Sequence, residues 1–516
     1  VVIVMQENHS FDSYFGMLPL RGQPKADGFT FDARGVPINS NPFNGGYVVV
    51  QHAPSDCRPR GAGSQSWNAS HEQIDGGRMD GFANTGVDSL VYWDAPDLPF
   101  YYSLASTFCL ANRWFSSVPG PTYPNRRFLQ AGTAYGLTAT TASSIFQKPP
   151  NGTIWDRLDD HSIGWKNYYT EVPTTAIIFD TVQNHLLFSG NLAPISHFYR
   201  DCANGSLPPV SMVDSGVGLN SELSKLIQIP ELSVVLSDLQ LSSFDEDEEF
   251  GDISAGESFT SRVVNAVMRS PKWARTLLVW CYDEHGGVYD HVPPPAAIPP
   301  DGIKPVLGAG DVTGLYDTYG PRVPAVVVSP YARPGAVTNV VHDHTSILAT
   351  IEAKWNLPAL TYRDANAQTL ADFLVDGAPS FPDPPVLADP GNPDATQLNC
   401  KDGPLTYRVY PTPPKATVTP TPQAPSVRLE VEHGPYIPGV VAIAIRSTGP
   451  TLTDVIVELK RGRDTVAKAR LPSLSGKTQR LQFRRRSPYA GRYTFLVRVR
   501  GRTVLAHTEY LTRAEL

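Results

Sequence analysis

The chain is 516 residues long, enough for two to four domains of ordinary size and for a core that can enclose a site, which excludes a minimal binding module. Only 18% of residues are charged and 48 are proline, the composition of a loop-rich globular protein rather than a disordered, collagen-like or coiled-coil chain. With 43 Lys or Arg against 50 Asp or Glu the formal charge is −7, which does not favour a nucleic-acid partner.

The apolar runs fall far short of the ~18 residues that span a bilayer. Five cysteines, at 57, 109, 202, 281 and 400, lack C-x-x-C spacing, which excludes the usual zinc frameworks and allows at most two disulfides. Val1 to Met5 already reads as a buried strand, so any signal peptide would lie upstream of the numbering.

From there to Ala378, short apolar runs (VVIVM at 1, RTLLVWCY at 275, VPAVVVSPY at 323) alternate with amphipathic helical patterns such as SFTSRVVNAVMRSPKWA and HTSILATIEAKWNL. Buried strands interleaved with helices predict an α/β domain, 1–378, built on a mostly parallel sheet. Residues 379–425 lose periodic patterning and end in PTPPKATVTPTPQAP, the composition of a stiff polyproline-type linker. Residues 426–516 hold six or seven short alternating runs separated by Gly, Pro or Ser turns, which predicts a small β-sandwich. This last domain carries 17 Lys or Arg against 7 Asp or Glu, leaving −17 on the remainder. A solvated β-domain and a surface that docks on anionic headgroups or other polyanions are both consistent with that balance.

In parallel sheets ligands bind beyond the carboxyl ends of the strands. VVIVMQ runs straight into Glu7-Asn8 and TLLVWCY into Asp283-Glu284, so four oxygen donors could converge on one hard cation: Mg, Ca or Mn, or Zn if histidines join. Taken singly, either pair could cap a helix or sit in a turn. SSVPGPTYPNRRF, from Ser116, is a Pro/Gly loop entering a helix with Thr122 at its start and Arg126 and Arg127 inside it. A hydroxyl there meets unpaired backbone N–H groups and the positive end of the helix dipole, which suit an incoming phosphate; the alternative is a helix cap. His342, Asp343 and His344 precede a further helix whose Ile347, Ile351 and Trp355 form one stripe, and two histidines flanking an Asp there suit metal or phosphate binding.

Together QENHSFDSYFG, PTYPNRRF, YDEHGGVYDHVPPP and SPYARPG with HDHTS, in this order between Glu7 and about residue 375, resemble the signature blocks of the phospholipase C/acid phosphatase phosphoesterase family. The resemblance implies an alkaline-phosphatase-like α/β fold, a divalent cation held by Glu7, Asn8, Asp283 and Glu284, and Thr122 as nucleophile. Phospholipase members are similar to this chain in having Thr at that place, whereas acid phosphatase members have Ser. It further implies catalytic histidines, for which His71, His291 and His344 are the candidates, with Asn125, Arg126 and His342 as candidate substrate-binding residues. His285 lies within a block at a less uniform place, and His9 stands where Arg is frequent. The chain departs from the pattern before the helix SFTSRVVNAV, where Asp245 to Glu249 replace an expected His-Pro segment; a solvated loop or a ligand for a second cation are the two readings.

The reaction implied is hydrolysis of a phospholipid to diacylglycerol and phosphorylated headgroup through a phosphothreonine. The implied substrate is a phospholipid or other phosphate ester, with a peripheral membrane contact through the C-terminal domain, in an extracellular or cell-envelope location. A broad phosphomonoesterase with the same site is the enzymatic alternative, and a polyanion-binding surface protein the non-enzymatic one. A serine hydrolase is disfavoured by the lack of G-x-S-x-G, a metalloprotease because HEQID at His71 lacks the second His, and a P-loop because Gly476-Lys477-Thr478 lacks its upstream Gly.

Overall fold

The computed structural model describes residues 1–59, 61–170, 173–178, 181, 190–215, 252–391 and 406–414, together with most of 427–511. The acidic run Asp245 to Glu249 lies outside the described residues. Two compact units divide the chain, Val1–Ala416 and Thr417–Leu516.

The larger unit is built on an eight-stranded sheet: β1 (Val2–Gln6), β2 (Cys109–Ala111), β3 (Trp165–Tyr169), β4 (Leu192–Pro194), β5 (Val210–Asp214), β6 (Leu278–Tyr282), β7 (Ala325–Val328) and β8 (Val337–Thr338). The spatial order is β8-β2-β7-β6-β1-β5-β3-β4. β1 pairs in parallel with both β6 and β5, while β7 is antiparallel to β6 and β2, so β7 alone runs against the other seven strands. Every residue of β1, β5, β6 and β7 is buried, as continuous apolar runs require when helices cover both faces of a sheet. Each Val, Ile or Leu so placed contributes ~1.5–3 kcal/mol relative to exposure. The helices that matter below are α1 (Phe11–Phe15), α2 (Trp67–Ile74), α3 (Thr122–Ala131), α4 (Ile253–Met268) and α5 (Thr345–Trp355). No helix among the described residues is long and apolar enough to cross a membrane.

Residues beyond 378 also belong to this unit. Phe381 N–H donates to the Pro330 carbonyl, Gly391 N–H to Glu257 at 3.0 Å, and Tyr410 exchanges two 2.8 Å backbone bonds with Tyr47. Cys57 is disulfide-bonded, and Cys109, Cys202 and Cys281 are free and buried.

The smaller unit holds β9 (Val427–Val431), β10 (Val440–Ser447), β11 (Leu452–Arg461), β12 (Asp464–Leu474), β13 (Gln479–Arg484), β14 (Gly491–Val499) and β15 (Arg502–Leu511). They form antiparallel sheets β9-β10-β13 and β12-β11-β14-β15, around a core that includes Val441, Ile443, Ile445, Val455, Val457, Phe483 and Phe495. Period-two alternation puts these side chains on one face of each strand, as expected from the six or seven alternating runs of the sequence.

Candidate active site

Because β1, β2, β5, β6 and β8 run the same way, the segments that leave them emerge at one edge of the sheet. Glu7 and Asn8 follow β1, Asp283 and Glu284 follow β6, and the loop after β2 leads to Thr122 at the first position of α3. Register fixes the first two pairs side by side: Gln6 faces Tyr282, and Asp283 N–H donates to the Gln6 carbonyl at 2.9 Å.

The turn that makes this possible is costly for most residues. Asn8 has φ 74, a left-handed conformation that Asn tolerates better than most. Gly286 and Gly287 also have positive φ, and a Cβ on them would lie 2.1 Å from the Asn8 carbonyl and 2.0 Å from that of Gly63. Only glycine lets these three loops meet.

The Thr122 hydroxyl donates to Glu7 Oε2 over a long 3.4 Å. Its loop is clamped by Asn125, whose Oδ1 accepts from Val118 N–H at 3.1 Å and whose Nδ2 donates to the carbonyls of Val118, Gly120 and Pro121. Both ends of the Asn125 amide are thus spent on the loop and the side chain is fully buried, so it positions the segment before Thr122 rather than taking the substrate-binding role expected from the sequence. Arg126, one residue on, donates through Nε to Asp283 Oδ2 at 2.9 Å and lies 3.8 Å from Glu7 Oε1. Burial opposes its charge, but Asp283 and Glu7 hold it protonated. Its Nη1 donates to Thr174 Oγ1, and Thr174 is in turn held by the buried Asp214 at the end of β5, while Nη2 has no hydrogen-bond partner among the described residues.

Burial pushes the Glu284 carboxyl well above its ordinary range, with Asp283 and Glu7 adding repulsion, and pushes Asp283 up against the pull of Arg126. Glu284 Oε2 accepts from Gly286 N–H at 2.6 Å, whereas Oε1 is buried with no partner among the described residues. Asn8 adds an amide oxygen, steadied by Gln65 at 3.2 Å. Three carboxylates, an amide and a buried carboxylate oxygen without a partner among the described residues are the donor chemistry of a hard divalent cation, although the three carboxylates do not all bring ligand atoms within 4.8 Å of one another and the Arg126 guanidinium lies against Asp283 and Glu7.

The histidines separate. His344 joins this edge: its ring bridges the Ser117 hydroxyl at 3.0 Å and the carbonyl of Tyr282 at 3.0 Å, and burial lowers its pKa to about 4, so it is neutral. His285, also buried and neutral, bonds Gln73 behind Glu284. His71 spends Nδ1 on the Trp67 carbonyl at 2.7 Å and packs on the Trp67 ring, and His342 stacks on Trp114 and meets Asp372 at 3.1 Å. None of the hydrogen bonds and ion pairs of His71, His342 or His291 reaches Thr122 or the four oxygen ligands among the described residues.

His291 belongs to a separate ionic network. Asp12, Asp290 and His291 offer ligand atoms within 4.8 Å of one another, the one such group of three or more His, Cys, Asp or Glu residues among the described residues. The Arg322 guanidinium already bonds Asp12 at 3.0 Å and Asp290 at 2.9 Å, so a cation stands among these groups. His291 lies 2.7 Å from Asp12 and 3.5 Å from Asp27; burial pulls its pKa down, but Asp12 and Asp27 raise it to about 10. A raised folded-state value stabilises the fold fully below the unfolded pKa of about 6.5, and that contribution disappears as pH rises through about 10. His291→Gln is therefore expected to cost most stability near pH 6.5 and progressively less towards pH 10. Denaturant unfolding of both proteins across this range checks it; a pH-independent difference refutes it.

Arg58, which donates to the Gly286 carbonyl, completes the surroundings of the site with Gln65, Gln73, Thr174 and Asp214, and none of the five is among the candidates from the sequence. For Asp214 the signal was present, since VSMVD ends at the same sheet edge as Glu7 and Asp283. The others act through contacts between distant segments and carry no local pattern.

A family model described as Phosphoesterase family matches residues 1–358. The chain is 30% identical over 402 residues to non-specific phospholipase C6 of Arabidopsis thaliana, covering 72% of this chain and 71% of that protein. It is 28% identical over 399 residues to the non-hemolytic phospholipase C of Burkholderia pseudomallei, covering 69% and 55%. Phospholipase C B of Mycobacterium tuberculosis is 26% identical over 439 residues, covering 76% and 80%.

Proposed function

The chain belongs to the phosphoesterase family and is a phosphoric ester hydrolase, and on that premise we propose that it is a phospholipase C acting through Thr122. The observation that carries this reading is the meeting of a helix-start hydroxyl, a nearby carboxylate and a buried arginine at one sheet edge. Glu7 Oε2 takes the hydroxyl proton as Thr122 Oγ1 attacks phosphorus in line. The Thr–O–P bond forms while the bond to the diacylglycerol oxygen breaks, and that oxygen takes up a proton from water as it leaves, the proton on Glu7 being kept for the return of the Thr122 hydroxyl. Water then cleaves Thr–O–P, returning the hydroxyl and releasing the phosphorylated headgroup. Arg126, held by Asp283 and Thr174, has in Nη2 a donor without a hydrogen-bond partner among the described residues, 3.8 Å from Glu7 Oε1, to offer a phosphate oxygen. Glu7, Asn8, Asp283 and Glu284 would hold a divalent cation, which when bound supplies Lewis-acid polarisation of the phosphate.

A lipid substrate is supported by the names of the relatives and by the rim of the site. Trp67 lies against Gly120 of the Thr122 loop on one side and Gly314 on the other, and its Nε1 donates to the Val312 carbonyl at 2.8 Å. The loop carrying these residues exposes Ile303, Val306, Val312 and Leu315, with Val306 at 75% exposure. Apolar side chains beside the entrance can enter the acyl layer while the headgroup reaches Thr122. Val306→Ser with Leu315→Ser is expected to lower activity on phosphatidylcholine vesicles about tenfold and to leave a soluble short-chain analogue nearly unaffected. Equal losses on both substrates would remove the rim from lipid contact. The function itself is tested by comparing turnover of phosphatidylcholine and of a phosphate monoester; preference for the monoester would favour the phosphomonoesterase. The disulfide at Cys57 supports an extracellular or cell-envelope site of action.

A further inference from the structure

The smaller unit has a site of its own. The outer face of β9-β10-β13 carries a cleft of about 270 Å³ lined by Arg428, Glu430, Ala444, Ile445, Arg446 and Thr478. Strand alternation explains its chemistry: Val441, Ile443 and Ile445 of β10 are buried in the core, which turns Ala442, Ala444 and Arg446 to the opposite face. Arg428 stands directly across from Arg446, and Ala444 stands between Glu430 on one neighbour and Arg480 on the other.

Two like charges facing each other across an antiparallel pair work against the sheet. Glu430 relieves one of them, at 2.8 Å from Arg428, but Arg446 has no ion-pair partner among the described residues. The small Ala444 side chain leaves the floor open between the arginines, and Thr478 adds a hydroxyl at the edge. Planar guanidinium groups around an open floor suit a tetrahedral oxyanion, to which they can each give two parallel N–H bonds. The cleft also sits in a domain of 17 Lys or Arg against 7 Asp or Glu, so a diffusing anion is drawn towards it before contact.

We propose that this cleft binds a phosphate group, presented by the headgroup of an anionic phospholipid, and so gives the protein a lipid-binding site separate from its catalytic one. The inference rests on the geometry of the β-domain and on none of the catalytic steps, and its test reads binding rather than turnover.

The full chain is sedimented on ice with phosphatidylcholine vesicles containing one-fifth phosphatidylglycerol, the lipid being assayed afterwards for intactness. A second arm titrates inorganic phosphate. Arg428→Gln with Arg446→Gln is expected to weaken vesicle binding about 30-fold, on the scale of ~1 kcal/mol per basic residue near an anionic surface. Lys468→Gln with Arg470→Gln removes the same charge from the other sheet, where Glu458 and Asp454 already pair with those residues at 3.2 and 2.7 Å; it is expected to weaken binding less than about threefold. Arg446→Lys guards against misfolding of the double variant, since it keeps the charge and loses only the fork, and an intermediate loss is expected. Weakening by the cleft variant in the vesicle arm alone assigns the site to membrane-borne phosphate, and weakening in both arms extends it to free phosphate. Equal effects of the two double variants, or no binding in either arm, overturn the proposal.

Discussion

Thr122→Ala is expected to lower kcat by three to five orders of magnitude, on the scale seen when an enzyme loses its nucleophile (~10³–10⁶). Thr122→Ser should retain measurable turnover, because the chemistry needs the hydroxyl and only the positioning needs the methyl group. The fold should be indifferent to either change. Thr122 is half-buried, its one side-chain bond among the described residues is a 3.4 Å contact to Glu7, and the loop before it is held by Asn125 rather than by its own side chain. A change in unfolding free energy within about 1 kcal/mol is therefore expected. Acid quench during turnover, followed by mass spectrometry, should find an added phosphoryl group on the peptide that contains Thr122. Label on another peptide, or an alanine variant that still turns over well, would refute covalent catalysis at this residue.

The position of Thr122 was legible in the sequence for a physical reason. Short continuous apolar runs mark buried parallel strands, and in a parallel sheet their carboxyl ends share one edge, so Glu7, Asp283 and the loop to Thr122 could be placed together before any contact was known. The same reasoning is blind to strand direction, and the run VPAVVVSPY reads identically whether β7 is parallel or, as found, antiparallel. It is also blind to pairings between distant segments. His291 looked like a catalytic histidine because of the block it sits in, but its environment is set by Asp12, 279 positions away, and by Asp27 and Arg322. His342 likewise takes its setting from Trp114 and Asp372. Asn125 and Arg126 were legible as neighbours of Thr122, whereas the route from Arg126 through Thr174 to Asp214 was not, because three separate segments build it.

Burial also changes what neutralising the carboxylates should do. Read as strand-end groups, Asp283 and Glu284 could be expected to sit in solvent; both are fully buried. Asp283→Asn is expected to abolish activity and to destabilise the protein by ~3–5 kcal/mol, because it removes the negative charge that faces the buried Arg126 guanidinium at 2.9 Å.

Glu284→Gln should abolish activity equally but move stability the other way in a chelator. The Glu284 carboxyl is held well above its ordinary value by burial and by Asp283 and Glu7, so in the absence of a cation the folded state disfavours its charged form. The sign follows from the linkage: the contribution is fully present below the unfolded value of about 4.5 and is lost as pH rises through the folded value. Glutamine removes that titration, keeps an oxygen for Gly286 N–H and replaces the unpartnered Oε1 with an amide nitrogen. With EDTA present, the variant should therefore unfold at a higher temperature than the unsubstituted protein, with the gap widening from pH 5 to pH 8. Adding a divalent cation should raise the Tm of the unsubstituted protein and leave the variant nearly unmoved. Thermal scans at the two pH values, with and without cation, decide the matter: a variant less stable in EDTA at pH 8, or one that responds to the cation as the unsubstituted protein does, would take Glu284 out of the cation site.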